Sequence, residues 1–217
     1  MTTEIRPSLN NITNIIEVYE DEIPKNVFDI EVYFFDVSAL GNMEPQYDGR
    51  PTYTGAVYVA NYRSGTLNGP YITSSTFPNS KKNNMKETKY NTVLEGSYIF
   101  NNRSGHKGAK RRGLNLVRQT GLSGWEGRFN LGFDKNGDTV LMKDVNVHGG
   151  TSDKGNYNSR GSHGCLTILP KDTLEFFKHF GMQHKTTGNL EGGLYVFRED
   201  DTSVVNQILD QIKSELQ

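Results

Sequence analysis

The sequence predicts a mainly β domain with peripheral α-helices, and three observations carry that reading. Residues 27–37 alternate: Phe28, Ile30, Val32 and Phe34 fall on one face, and Asp29, Glu31 and Tyr33 on the other. That is the period-two pattern of a strand. The composition favours strands and turns over a helical bundle, with 23 glycines, 11 phenylalanines and 11 tyrosines at a mean hydropathy of −0.64. Short apolar segments then follow one another between turn signals such as Ser64-Gly65 and Asn68-Gly69.

Taken in order, residues 1–25 are polar with scattered Ile and Val, and read as an extension or a short helix. The domain proper is expected over 26–200. After the first strand, 39–51 is a turn-rich connection, strands follow at 54–62 and 69–76, and 77–88 is a polar loop. Further strands are expected at 96–101, 114–117, 128–133 and 139–147. The last two are joined by Asp134-Lys135-Asn136-Gly137-Asp138, where Asn-Gly supplies the positive φ angles of a hairpin. This is not a calcium loop. Its glycine falls two positions early, and no acidic residue closes a twelve-residue ring. A strand at 166–169 precedes a helix at 172–180, with Asp172 and Glu175 at its start and Gly181 at its end. A final strand is expected at 193–198. Residues 201–217 form an amphipathic helix packed on the domain, with Val205, Ile208, Leu209, Ile212 and Leu216 on one stripe.

The 217 residues suffice for one domain with a sizeable core. A formal net charge of −1 gives no basis for nucleic-acid binding. No apolar run approaches the length of a bilayer crossing, so no membrane insertion is expected. The start, Met1-Thr2-Thr3-Glu4-Ile5-Arg6-Pro7, lacks the basic and apolar stretches of a signal peptide.

The chemistry converges on Cys165, the single cysteine, in Gly161-Ser162-His163-Gly164-Cys165-Leu166. Upstream, His148-Gly149-Gly150 ends an apolar segment. A thiol nucleophile needs an imidazole to take its proton, because at neutral pH an unassisted cysteine is mostly protonated. The glycine-flanked N–H groups of Gly164 and Cys165 suit an oxyanion. Without this context Cys165 would read as a small buried hydrophobe. Zinc on His148, His163 and Cys165 lacks a fourth ligand and any paired ligand spacing, so no metal is expected. His106, His179 and His184 read as surface residues. The basic run from Arg103 to Arg112 is either a solvated loop or, through Arg111 and Arg112, a site for substrate carboxylates. Trp125 and Tyr157 either wall a cleft or pack.

His148-Gly149 followed by Ser162-His163-Gly164-Cys165-Leu166 resembles the signature of the L,D-transpeptidases of bacterial cell-wall metabolism: His-Gly, a variable loop, then Ser/Thr-His/Arg-Gly-Cys and an aliphatic residue. The close match covers 148–168. Val93-Leu94-Glu95-Gly96-Ser97-Tyr98-Ile99 is a weaker echo of the family's Thr-Pro-x-Gly-x-Tyr-x-Ile strand, with the proline replaced. The resemblance implies a β-sandwich-like catalytic fold and a cofactor-free cysteine acyltransferase acting on peptidoglycan stem peptides. Cys165 would form a thioester that passes to an amine, in transpeptidation or D-amino-acid exchange, or to water, in L,D-carboxypeptidase action. His148 would be the base, oriented by the Gly149 carbonyl. His163 would stabilise the oxyanion or hold the donor, or else pack, and Ser162 would shape the turn. Family members commonly carry Arg or Asn where this chain has Thr167, which implies a changed grip on the donor.

The resemblance also implies action in the periplasm or cell wall. Without a visible signal peptide four explanations stand: a trimmed leader, release at phage lysis, action elsewhere, or injection by a dedicated secretion machine. The last would make the protein an antibacterial toxin with an immunity protein as partner. A papain-like peptidase is disfavoured because its cysteine normally precedes its histidine. A non-catalytic wall-binding protein on the same scaffold is the alternative from another class, opposed by the intact Cys165 and His148.

Overall fold

Eight strands close into a barrel. The computed structural model describes residues 28–35, 44–47, 50–74, 92–119, 129–133, 139–150, 164–197 and 202–217. The strands are β1 (Ile30–Phe35), β2 (Glu44–Tyr47), β3 (Arg50–Asn61), β4 (Thr66–Ser74), β5 (Thr92–Val93), β6 (Gly96–Asn101), β7 (Leu114–Gln119), β8 (Phe129–Phe133), β9 (Thr139–Lys143), β10 (Asn146–Gly149), β11 (Leu166–Ile168) and β12 (Glu191–Phe197). The main sheet runs β1-β12-β6-β7-β10-β11-β4-β3, and β3 pairs back onto β1 to complete the ring, with β2 attached outside at β3. Two neighbouring pairs, β1 with β12 and β10 with β11, are parallel, and the others are antiparallel. A separate three-stranded sheet is ordered β5-β8-β9. The mainly β expectation holds. Where the resemblance implies a sandwich, the hydrogen bonding closes the sheet on itself, which removes both free edges.

Alternation along the barrel strands sorts side chains into an inner and an outer set. Val32, Phe34, Val57, Val59, Tyr98, Phe100, Leu114, Leu116, Val147, Leu166, Ile168, Leu194 and Val196 form the core. The short helix α1 (Thr173–Lys178) adds Phe176 and Phe177 to it, and Phe180 and Met182 follow. The outer face divides by chemistry. Over β1, β3 and β12 it is apolar, and helix α2 (Thr202–Glu215) covers Tyr33, Phe35 and Ala60 with Val204, Val205, Ile208, Leu209 and Ile212. Hence β1 is buried along its whole length, although its sequence alternates. Over β6, β7 and β10 the outer face is polar: Asn101, Asn115, Asn146 and His148.

Three local expectations need correction. Residues 139–147 are two strands, because Asp144 adopts a positive φ of 56° and breaks the run between β9 and β10. The connection at 39–51 contains β2, and β3 starts within it. Asp172 holds the N-cap position of α1, but its side chain makes no capping bond. A 3-10 turn, Pro170–Asp172, precedes the helix, and Asp172 Oδ2 instead accepts the Ile72 N–H at 3.0 Å, tying this segment to β4. Gly181 does end the helical segment, at a φ of 64°. The readings of 1–25, of 77–88 and of the 134–138 hairpin turn lie outside the described residues. Among the described residues no helix is long and apolar enough to cross a membrane.

Candidate active site

The site sits on the outer face of the barrel wall, where β10 and β11 run side by side. Their register pairs Val147 with Leu166 and His148 with Thr167. Val147 and Leu166 point into the core. By alternation, His148 and its partner Thr167 lie on the side of the wall away from the core, and Cys165 immediately precedes β11. Neighbouring parallel strands thus bring the His-Gly segment and the Gly-Cys segment side by side. Gly164, just before the cysteine, has a φ of 137°, a conformation open to glycine and costly for other residues.

His148 is buried, with 2% of its surface exposed. Its Nδ1 lies 2.7 Å from the Gly149 carbonyl oxygen. A carbonyl only accepts, so Nδ1 carries the ring proton and Nε2 carries the lone pair. Nε2 is buried and has no hydrogen-bond partner among the described residues. Burial, then the neighbouring His106, pushes the His148 pKa down to about 4, and the charges of Lys107 and Arg111 add to this. The Gly149 contact acts in the opposite direction. The imidazole is therefore neutral at physiological pH and presents a proton-accepting nitrogen. Cys165 is half-buried, and its Sγ lies 4.0 Å from the Asp144 carbonyl oxygen in a long S–H···O contact.

Gly149 is needed for space. A Cβ there would fall 2.8 Å from the Cγ2 and Oγ1 atoms of Thr173, at the start of α1. The ladder continues past it, with the Gly150 N–H bonded to the Ile168 carbonyl at 2.8 Å. Thr167 is fully buried, and its carbonyl accepts the Thr73 hydroxyl at 2.6 Å.

The two arginines part company. Arg112 gives its Nε–H to the Met182 carbonyl and an Nη2–H to Gln183 at 2.6 Å, so its guanidinium clamps the chain after α1. Arg111 is exposed, and its backbone pairs with that of His106. Ser162, His163, Trp125 and Tyr157 lie outside the described residues.

The residue that local sequence reasoning misses is His106. Far from being a surface residue, it is half-buried, with its ring centroid 4.0 Å from that of His148 and the ring planes 13° apart. His179 is likewise half-buried, with Nε2 2.6 Å from the Tyr71 hydroxyl, whereas His184 is exposed. Nothing in the run around His106 signals its place. Asn115 and Asn146 do leave a trace, as polar residues at the outward positions of Leu114-Asn115-Leu116 and Val145-Asn146-Val147.

Comparison of this chain with family models, with curated proteins and with solved structures finds no match.

Proposed function

We propose that this protein is a cysteine acyltransferase of the L,D-transpeptidase type, acting on peptidoglycan stem peptides in the periplasm or cell wall. One observation carries the reading. His148 lies on β10 and Cys165 immediately precedes β11, the parallel neighbour of β10, and the Gly149 carbonyl fixes the His148 tautomer that leaves Nε2 as the base. The matched motif supplies the substrate class.

In the proposed cycle, the Cys165 thiol gives its proton to His148 Nε2 as Sγ bonds to the carbonyl carbon between the diamino acid and the terminal D-residue. The amide C–N bond then breaks. The leaving amine takes the proton from Nε2, and a thioester remains on Sγ. An acceptor amine or water next attacks that thioester and gives its proton to Nε2. The C–S bond breaks and the thiol regains its proton. Because burial holds the His148 pKa down, the imidazole rests in its neutral form. Kinship of the sheet with the sandwich-like family fold is part of the same proposal, since a barrel pressed flat presents two facing sheets.

The test is mass analysis of purified tetrapeptide-stem muropeptides after incubation with the protein and with Cys165→Ala. The parent releases the terminal D-residue and yields cross-linked, exchanged or shortened stems, while the folded variant yields none. Equal turnover by the two proteins would remove Cys165 as nucleophile, and unaltered stems with the parent would remove the substrate class.

A further inference from the structure

The turn over the site is built to place one ring. It leaves β6 at Asn101 and enters β7 at Leu114. Asn115, on β7, holds it from beneath: its Oδ1 accepts the Ser104 N–H at 3.2 Å and its Nδ2 donates to the Gly105 carbonyl at 2.7 Å. The same amide donates to Asn146 Oδ1 on β10, two residues before His148. The Asn146 amide in turn donates to the Asp144 carbonyl at 2.6 Å, the oxygen that faces Cys165 Sγ. One chain of amides therefore links the His106 turn, the His148 strand and the cysteine. The other side of the turn is closed by paired backbone bonds between His106 and Arg111, at 2.8 and 3.1 Å. Close approach to β7 requires Gly113, where a Cβ would stand 3.0 Å from that of His106. All of this delivers His106 flat against His148.

We propose that His106 is a positioning residue for His148: its stacked ring fixes the plane in which Nε2 is presented and keeps the base in its neutral, proton-accepting form. Two properties of the geometry do this. The ring covers one face of His148 and excludes water from it. When His106 itself takes a proton, the charge 4.0 Å away opposes protonation of His148. Burial lowers the pKa of His106 too, with Lys107 and Arg111 adding to it, so the pair as a whole resists protonation. Among the described residues, the titratable and charged groups on the elements that carry the two rings are Lys107, Lys110 and Arg111 on the turn, Asp144 before β10 and Cys165 before β11. His184 and Lys185 lie on the segment that packs on Gly105 through Thr186. Among the described residues no carboxylate contributes to the lowered pKa of either ring.

The role rests on His148 being the base, but its test needs no peptidoglycan. The His148 ring signals are followed by NMR against pH in the parent, in His106→Ala and in His106→Phe, with His148→Gln identifying them. In the parent His148 titrates far below an ordinary histidine. Removing the covering ring in His106→Ala raises its midpoint by about one pH unit or more, because water reaches the exposed face. His106→Phe keeps a flat cover but loses the charge, so its midpoint rises less than that of His106→Ala. The rate of alkylation of Cys165 follows, its acid limb moving further in His106→Ala than in His106→Phe. A His148 midpoint that is the same in the parent and in folded His106→Ala overturns the role. Where His106→Ala does not fold, His106→Ser gives the same comparison. An unchanged His148 titration overturns the positioning role alone, while loss of the peptidoglycan reading leaves it standing.

Discussion

At the scale of the residue, His148 shows how burial sets chemistry. An imidazole held neutral by its surroundings is a base at every pH above about 4. The same shift has a cost in stability, and its sign is fixed. The unfolded chain binds a proton at this histidine below about pH 6.5, and the folded chain does so only below about 4. Between those values the unfolded state holds more protons, so stability rises with pH through the window and is lost as pH falls. Acidification from pH 7 to 4 removes up to about 3 kcal/mol on this account. His148→Gln has no such proton to gain. Urea unfolding midpoints for both proteins between pH 4 and 7 are expected to show a shallower acid loss in the variant. Parallel curves would show that His148 is not held neutral by the fold.

At the scale of the element, helix α2 explains why an alternating strand is buried on both faces. Its stripe of Val204, Val205, Ile208, Leu209 and Ile212 lies on the outer wall of β1 and its neighbours. Within that contact sits a buried carboxylate. Glu31 accepts the Tyr33 hydroxyl at 2.5 Å and the Tyr195 hydroxyl at 3.2 Å, and Tyr62 reaches Tyr33 at 2.9 Å. Desolvation raises the Glu31 pKa, with hydrogen bonds from the tyrosines offsetting part of the effect. This opposes the His148 trend, since the cost of a buried anion appears as pH rises. Because Glu31 is common to parent and variant, it cancels in the His148→Gln comparison. The helix stripe itself yields a simpler expectation. Ile212→Ala should cost about 2–5 kcal/mol, while exposed Gln207→Ala stays within about 0.5 kcal/mol. Chemical denaturation of both variants checks it, and equal midpoints would mean that α2 contributes little to the fold.

At the scale of the whole molecule, closure depends on β1, which pairs with β12 on one side and β3 on the other. Gly192 marks the tightest point of that closure. A Cβ there would stand 2.5 Å from the Ile30 carbonyl and 2.5 Å from the Phe100 ring, one of which is backbone and cannot turn aside. Gly192→Ala should destabilise by about 1–3 kcal/mol or more, by pushing β1 and β6 away from β12. Thermal unfolding is expected to fall to a lower midpoint and remain one transition. A midpoint unchanged from the parent would show that this part of the barrel gives way easily.

Much of this was legible in the chain. Period two marked β1, turn signals bounded several of the other strands, and period 3.6 marked α2, because these patterns are local and each residue carries its part of the signal. His148 and Cys165 stood out because a short motif holds them, and Asn115 and Asn146 left outward polar positions between apolar ones. Other features are properties of contacts between distant segments. Ring closure of the barrel depends on which strands pair, and alternation leaves that open. The break at Asp144 rests on a positive φ that nothing in the run 139–147 marks. For Arg112 the sequence leaves open a solvated loop or a carboxylate site, and its bonds to the carbonyls of Met182 and Gln183 are set by a segment seventy residues away. His106 became part of the site only when the turn between β6 and β7 folded over β10, because a stacked pair of rings is set by three-dimensional packing and leaves no period or spacing in the chain.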